Sequence, residues 1–362
     1  MGIDVGTAFT AAAVGRAGTL QMVRLGTNAP LLASLVGMHP DGSLTVGDPA
    51  AEAAGRAQVP AHVFRRRLGD STPIAVGPRS CTAGELLATL VSTVLERVTA
   101  QQGGPPGRVV VTFPAAWGPY RREQLAEVAR HAGIPRSEVT LLTEGEAVAA
   151  HYLSTRPPAG PAPIAVYDVG GSTFDATVVR TFRRRPTGPP TVGVIGVPES
   201  LEWFGGVDLD EAIVRHLDTD TDGALSMLDA RRPEDAAVLR RVREACRRAK
   251  EELSESTEVR IETELGRPVP LSRAQLEQWI RPNLEAGLPT LRRVIEAAGL
   301  QPGDLGTVLL VGGTARVPLV ATMVAEDLGR SVIIPPGTQY GAALGAALIA
   351  SYPRAEPRRR SA

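Results

Sequence analysis

The feature that most constrains the fold is a strand–turn–strand pattern that occurs twice, almost half of the 362-residue chain apart. In the second copy, an apolar run ends in Asp168, a turn with two glycines follows, and a second β-rich run covers 174–179. In the first copy, Asp4 precedes Gly6 and a further apolar stretch in the same way. A repeated hairpin of this kind predicts two similar half-structures that face each other.

The residue types in both turns suit a phosphate bound to a metal ion. Glycines let backbone N–H groups approach an anion, because no Cβ stands in the way. Ser172 and Thr173 add hydroxyl donors in the second turn. Asp4 and Asp168 would repel a bare phosphate, but their carboxylates suit a phosphate-bound Mg²⁺. The two hairpins therefore predict one phosphate chain held from both sides, with two carboxylates converging on one metal.

The composition is typical of a globular protein, and the length of 362 residues favours two domains. The formal net charge of zero gives no basic surface for nucleic acid and no bias toward membrane lipid, so we expect neither as a partner. The longest apolar run near the end, 340–350, is too short to span a bilayer. Cys81 and Cys246 lie far apart and no signal peptide is recognisable, so we predict a reducing compartment and a cytoplasmic protein.

Three other features have both a structural and a functional interpretation. Arg65, Arg66 and Arg67 form a run that is usually a solvated face or a partner patch, but that could place a cation at a phosphate. Glu144 follows a strand and precedes a helix, where a carboxylate is often only an N-cap. Lys250 is the only lysine beside 38 arginines, and it either survives by chance or stands where a compact ammonium is needed. These alternatives stay open on the sequence alone.

A last apolar strand at 307–311 ends in two glycines, which let the chain pass under a flat ligand such as a purine. Three segments now resemble the two phosphate motifs and the adenosine motif of the actin-like ATPase superfamily: 2–7, 168–175 and 310–318. The strongest resemblance is to the nucleotide-binding ATPase domain of the 70-kDa heat-shock protein (DnaK-type chaperone) family. Four further segments occur in the family's order: 111–115, 143–147, 204–210 and 249–254.

This resemblance, which covers nearly the whole chain, implies an α/β actin-like ATPase fold. Two ribonuclease-H-like lobes, each with a smaller subdomain, would surround a central nucleotide cleft. Lobe I would comprise residues 1–160 and 338–352, and lobe II would comprise residues 161–337. Residues 353–362 would form a disordered basic tail. We expect no peptide-binding domain within this sequence.

The resemblance also implies roles for individual residues. Asp4 and Asp168 would hold Mg²⁺ through water molecules, and Glu144 and Thr173 would help to place the attacking water. The predicted catalytic residues are Asp4, Arg65, Glu144, Asp168 and Thr173. The predicted contacts with ATP or ADP are Gly6, Thr7, Ala8, Gly170, Gly171, Ser172, Thr173, Gly205, Gly206, Lys250, Ser254, Gly312, Gly313 and Arg316.

Departures from the family pattern make slow or impaired hydrolysis the expectation. Arg65 stands where the family has a catalytic lysine, and its planar fork cannot simply replace an ammonium that orients a water. Ala8 replaces a threonine near the phosphates, and Arg247 replaces a glutamate near the adenosine. Pro114 and Arg122 do match the family's switch proline and its arginine partner, which relay the nucleotide state.

We therefore predict a slow, Mg²⁺-dependent ATPase domain whose lobe closure signals the nucleotide state to a protein partner, a co-chaperone or a missing domain. The main alternative is a catalytically impaired module that acts as a nucleotide-gated interaction protein or as an actin-like filament protein. Small-molecule kinases share the superfamily, but the four chaperone-type segments argue against that activity.

Overall fold

The computed structural model describes residues 1–16, 19–26, 29–39, 41–47, 58–156, 162–183, 191–202, 204–230 and 232–352. The predicted basic tail at 353–362 lies outside the described residues. None of the helices in these ranges combines the length and the apolar character that a membrane crossing requires.

Strands and helices are mixed along the described chain, which confirms the predicted α/β class. The strands are β1 (Gly2–Val5), β2 (Phe9–Arg16), β3 (Thr19–Met22), β4 (Leu31–Ala33), β5 (Leu35–Met38), β6 (Leu44–Val46), β7 (Gln58–Pro60), β8 (Ile74–Val76), β9 (Arg79–Cys81), β10 (Val109–Phe113), β11 (Val139–Thr143), β12 (Ile164–Val169), β13 (Phe174–Arg183), β14 (Thr191–Leu201), β15 (Glu258–Ile261), β16 (Val269–Ser272) and β17 (Thr307–Val311). The helices are α1 (Ala61–Arg65), α2 (Ala83–Gln102), α3 (Pro119–His131), α4 (Glu144–Thr155), α5 (Gly206–Asp220), α6 (Pro233–Glu252), α7 (Arg273–Ala297), α8 (Pro318–Leu328) and α9 (Gly341–Ala350), with 3-10 turns at Pro302–Asp304 and Thr314–Arg316.

The two glycine hairpins lie in two separate sheets with the same local arrangement. In the first sheet, of order β11-β10-β1-β2-β3, β1 pairs antiparallel with β2 and parallel with β10. In the second sheet, of order β14-β13-β12-β17, β12 pairs antiparallel with β13 and parallel with β17. Strand β10 is buried along its whole length, as expected of a continuous apolar run between two neighbouring strands. The two sheets therefore share one local strand arrangement around their hairpins.

Each sheet has its own hydrophobic core, so the structure divides into two lobes. One core consists of buried residues between positions 1 and 139, and the other of buried residues between positions 165 and 328. Below, lobe I denotes β1–β11 with α1–α3, and lobe II denotes β12–β17 with α5–α8. The small sheets β6-β5-β7 and β8-β9 belong to lobe I, and β15-β16 belongs to lobe II. The domain boundaries predicted from the sequence stay a prediction.

Helices α4 and α9 lie between the lobes and pack against each other. Helix α9 contacts β1, β2 and β10 of the first sheet, and α4 contacts β12, β13 and β14 of the second. Small residues allow this close approach. A Cβ on Gly345 would lie 1.8 Å from the carbonyl oxygen of Ala147, and a Cβ on Gly2 would lie 2.4 Å from that of Ala343. Helix α9 therefore packs with its backbone close to α4 and to β1, while apolar side chains fill the space between α4 and the second sheet.

Candidate functional site

A cavity of about 300 Å³ lies between the two lobes, beside the turns of both glycine hairpins. The predicted site residues that line it are Asp4, Gly6, Thr7, Ala8, Arg65, Glu144, Asp168, Gly170, Gly171, Thr173, Gly206, Lys250, Ser254, Gly312, Gly313 and Arg316. Ser172 and Gly205 do not line it. They lie against each other behind the turn, since a Cβ on Gly205 would be 2.5 Å from the Cα of Ser172, which is fully buried. The roles of all these residues stay predictions.

The lobe I wall of the cavity is formed by the end of β1 and the turn after it. The hydroxyl of Thr112, on the neighbouring strand β10, donates to Oδ1 of Asp4 at 2.6 Å. The turn at Gly6 is tight, because a Cβ there would lie 2.4 Å from the carbonyl oxygen of Phe9. The carboxylate of Asp4 is thus held at the cavity by a hydrogen bond from its own sheet.

The lobe II wall is the turn between β12 and β13. The N–H of Gly170 donates to the carbonyl of Thr173 at 2.9 Å and closes the turn. The carbonyl of Gly170 accepts hydrogen bonds from the N–H of Gly206 at 3.0 Å and from Oγ1 of Thr314 at 2.9 Å. These partners hold the turn in one conformation, and they engage a carbonyl that would otherwise repel an anion.

The two turns contact each other between the lobes. A Cβ placed on Gly171 would lie 2.8 Å from the Cβ of Ala8 and 3.1 Å from Oγ1 of Thr7. A larger side chain at position 8 or 171 would therefore separate the lobes. The alanine that replaces the family's threonine fits this short distance.

Four carboxylates lie near one buried arginine beside the turns, those of Asp4, Glu144, Asp168 and Asp175. Arg65 is 5% exposed, and its Nη2 donates to Oε1 of Glu144. Burial alone lowers the pKa of Arg65, but the charges of Glu144, Asp4 and Asp175 raise it above its usual value. The guanidinium therefore stays charged at every pH at which the protein is folded.

The structure shows where Glu144 and the arginine run lie, while their functional roles stay predictions. Thr143, rather than Glu144, caps α4, because its Oγ1 accepts the N–H of Glu146 at 3.2 Å. Arg65 lines the cavity, whereas Arg67 lies at the surface in an exposed ion pair. The run of three arginines thus contains a cavity residue and a solvated residue two positions apart.

Burial raises the pKa values of all four carboxylates, and repulsion within the cluster adds to the shift for Glu144 and Asp168. For Asp168, burial and then the charges of Asp175 and Asp4 raise the pKa to about 7. Burial also raises the pKa of Glu144 well above its usual value, although Arg65 opposes the shift. One guanidinium therefore does not offset the cost of burying all four carboxylates in ionised form, and a further cation would stabilise their ionised forms.

The residues at the turns fit a phosphate-bound Mg²⁺ rather than a metal ion held by side chains alone. Among the described residues, no three His, Cys, Asp or Glu side chains are arranged to bind a metal ion. Asp4 and Asp168 nevertheless line the same cavity from opposite lobes. In the described part of the chain, one oxygen of the buried Asp175 has no hydrogen-bond partner. Such carboxylates suit Mg²⁺, which keeps several waters and takes oxygen ligands from phosphates.

The single lysine, Lys250, is held against helix α5. Its Nζ lies 2.7 Å from Oδ1 of Asp210 and donates to the carbonyl of Gly206 at 3.0 Å. A Cβ on Gly206 would lie 3.1 Å from this Nζ, so the ammonium packs close to the backbone, which suits a compact cation better than a planar guanidinium. This packing favours the interpretation that the position requires a compact cation.

Arg247 reaches from lobe II to lobe I beside the cavity. Its Nε donates to Oε2 of Glu244 at 2.9 Å, and its Nη1 donates to Oε1 of Glu251 on the same helix. Its Cζ lies 5.6 Å from the centre of the Phe9 ring, within the range of a cation–π contact. The arginine that replaces a family glutamate thus contributes a contact between the lobes.

The backbone after β17 lies against the carboxylate of Asp168. Gly312 has a φ of +85°, and a Cβ there would lie 2.3 Å from Oδ1 of Asp168. Gly313 and Arg316 line the cavity next to it, and Arg316 pairs with Glu255 at 2.8 Å. Only a glycine permits this approach of the third motif to the second.

Sequence reasoning missed three polar side chains at this site. Asp175 lies directly opposite Asp168 in the antiparallel register of β12 and β13, so the two carboxylates are neighbours. Counting residues outward from the hairpin turn places Asp175 opposite Asp168 and could have found it. Asp210 holds Lys250, and Thr314 holds the glycine turn through the carbonyl of Gly170. No local pattern in the sequence indicates those contacts.

Comparisons with known proteins agree in the family that they indicate. The family described as Hsp70 protein matches residues 56–356. The chaperone protein HscA homolog of Acidithiobacillus ferrooxidans is 30% identical over 378 residues, which cover 97% of this chain and 58% of that protein. The chaperone protein DnaK of Thermoplasma volcanium is 28% identical over 364 residues, which cover 96% of this chain and 57% of that protein. This chain therefore spans a little more than half the length of these relatives.

Proposed function

Because this chain belongs to the Hsp70 protein family, we propose that its cavity binds ATP or ADP with Mg²⁺ and that the chain hydrolyses ATP slowly. The observation that carries this proposal is the meeting of the two aspartate–glycine hairpins, one from each lobe, at a single cavity. Backbone N–H groups of both turns can bind phosphate oxygens, and Asp4 and Asp168 can hold the waters of a metal ion from two sides.

The proposed roles follow the positions of the side chains. Mg²⁺, when bound, neutralises and orients the phosphates. Glu144 and Thr173, which both line the cavity, place the attacking water. Lys250 and the backbone at Gly312 border the adenosine. Positioning and charge neutralisation of this kind supply most of the catalysis in phosphoryl transfer.

Hydrolysis is slow in this proposal because Arg65 is already engaged. Its guanidinium donates to Glu144, the carboxylate proposed to place the attacking water. An arginine fork bound to a carboxylate is fixed in direction, whereas a lysine ammonium could turn toward a water or a phosphate. Ala8 supplies no hydroxyl beside the phosphates.

The nucleotide would also set the distance between the lobes. Both turns would hold the same phosphate chain, and they already touch at Ala8 and Gly171, so nucleotide binding favours the closed arrangement. We propose that a protein partner, such as a co-chaperone or a further domain, reads this state, with Pro114 and Arg122 as the relay. The relatives carry the name chaperone, which supports a role of this kind.

We place the protein in a reducing compartment such as the cytoplasm. Cys81 and Cys246 are free and buried. Burial, followed by the charges of neighbouring carboxylates, raises the pKa of Cys246 to about 12. Thiols held in this way pack as small apolar groups and do not form disulfides.

Calorimetric titration with ATP and ADP, with and without Mg²⁺, tests the binding. We expect saturable binding that weakens when Mg²⁺ is removed, and no binding at millimolar nucleotide would refute the proposal. Single-turnover hydrolysis tests the role of Arg65. The variant Arg65→Lys should hydrolyse ATP several-fold faster than the wild type, because its ammonium is free to turn. Arg67→Lys is the matched control and should hydrolyse at the wild-type rate, since Arg67 lies at the surface.

The ion pair of Arg65 with Glu144 also supports a second candidate function. If the pair keeps both groups from the phosphate, the chain is a nucleotide-gated interaction module or an actin-like filament protein without turnover. Tight nucleotide binding without single-turnover hydrolysis in the wild type would favour this function. ATP-dependent light scattering would then distinguish a filament from a module that stays monomeric.

A further inference from the structure

An ion pair outside the cavity joins the two lobes. Arg121 lies on α3 in lobe I, and its Nη1 is 2.7 Å from Oε1 of Glu202, which directly follows β14 in lobe II. The two side chains are 32% and 36% exposed, so water screens the pair only in part. Neither residue lines the cavity.

The same guanidinium holds the chain segment that carries Arg65. The Nη2 of Arg121 donates to the backbone carbonyl of Arg66 at 3.0 Å. Arg66 in turn donates through its Nη2 to the carbonyl of Ser172, within the glycine turn of lobe II. Arg121 thus contacts lobe II directly through Glu202 and indirectly through Arg66.

An indole ring connects Arg121 with Arg65. Trp117 is buried, and the Cζ atoms of Arg65 and Arg121 lie 5.5 Å and 5.7 Å from the centre of its ring. The planar guanidinium packs on an aromatic face better than an ammonium does. A displacement of Arg121 would therefore loosen the surface against which Arg65 packs.

We propose that Arg121 is a positioning residue, which uses its pair with Glu202 to hold Arg65 beside Glu144 while the lobes are together. This inference rests on the proposed hydrolysis of ATP. Arg121 does not line the cavity, so it acts through its neighbours and not through the nucleotide. Loss of Arg121 should free Arg65 from Glu144 and so raise the rate of hydrolysis at saturating ATP, with little change in the binding of ATP.

Single-turnover hydrolysis in matched variants tests this role. Arg121→Gln and Glu202→Gln should each raise the rate at saturating ATP by roughly threefold to tenfold, and the double variant should be no faster, because the contact between Arg121 and Glu202 is lost in all three. Arg121→Lys should be intermediate, since one ammonium cannot reproduce the fork between Glu202 and the backbone. The control is Arg130→Gln, because Arg130 pairs with Glu127 at 2.7 Å within the same helix.

Two results would overturn the role of Arg121. One is a rate for Arg121→Gln equal to that of the control, and the other is a rate at saturating ATP below that of the wild type. Urea unfolding in the absence of nucleotide measures the contact between Arg121 and Glu202 without relying on the proposed function. A double-mutant cycle between Arg121 and Glu202 should show coupling, and additive effects would contradict the contact between the lobes. If the cycle shows coupling but the wild type binds no nucleotide, the proposed function is refuted and the contact between the lobes stands.

Discussion

Replacement of Arg65 by methionine should destabilise the protein far more than the same change at Arg67. Arg65 and Glu144 form a buried pair, with side chains 6% and 11% exposed. Methionine keeps the apolar stem but leaves Glu144 without a cation, in a cluster that also contains Asp4 and Asp168. Removal of one partner of a buried ion pair costs about 3–5 kcal/mol.

This cost should depend on pH in a direction that identifies its cause. Burial raises the pKa of Glu144 even with Arg65 present, and loss of the guanidinium removes the main opposing charge. In acid, the carboxylate of the variant binds a proton in both the folded and the unfolded chain, so no unpaired charge is buried. At pH 8 the carboxylate of Glu144 ionises readily only in the unfolded chain. The loss in free energy of unfolding should therefore be largest at alkaline pH and should shrink as the pH falls.

Urea unfolding at pH 5 and pH 8 measures both effects. Arg67→Met is the control, because the pair of Arg67 with Asp70 is 29% and 43% exposed and is worth at most about 1 kcal/mol. Addition of Glu144→Gln to Arg65→Met should recover a large part of the loss, since the buried charge is then absent. Equal destabilisation by the two methionine variants, or a loss that does not change with pH, would refute the reasoning.

Two further predictions concern the second hairpin and the helix pair. The pKa of Asp168 is raised to about 7 in the folded chain, so its contribution to stability is fully present below its usual value of 3.8 and is lost as the pH rises through about 7. Nucleotide-free Asp168→Asn should therefore match the wild type at pH 4 and exceed its free energy of unfolding by up to about 4 kcal/mol at pH 8; identical urea curves at pH 8 would contradict this. Gly345→Ala should lower the Tm by several degrees, because its Cβ would lie 1.8 Å from the carbonyl oxygen of Ala147. Gly341→Ala is the control, since its Cβ would meet only a methyl group at 3.5 Å, and an equal Tm for both variants would exclude the backbone contact as the cause.

The fold follows from the sequence where local chemistry determines it. Glycines in two tight turns and aspartates at two strand ends predict the paired hairpins, because few other residues tolerate such turns. Helix α7 shows the limit of local rules. Pro282 and Pro289 leave one helix or two as alternatives, yet the structure has one continuous helix. Its apolar face packs in the core of lobe II, and this packing outweighs the proline preference for a break.

The candidate site could be predicted where residues come from the motifs themselves, and not where they meet by tertiary packing. Arg65 and Arg67 are alike in sequence, and only the placement of α1 against the cavity buries one and exposes the other. The contact of Arg121 with Glu202 depends on the distance between two lobes. Each lobe folds around its own core, so no pattern within one lobe encodes that distance.

The placement of Lys250 gives the chain an unusual chemical simplicity. Every other cationic side chain apart from histidine is an arginine, so these 362 residues contain a single side-chain amine, and that amine lines the cavity. An amine-selective reagent therefore meets one side chain, which lines the cavity proposed to bind nucleotide. If ATP or ADP binds there, it should slow the acylation of Lys250, and this protection would report occupancy of the cavity without any engineered label.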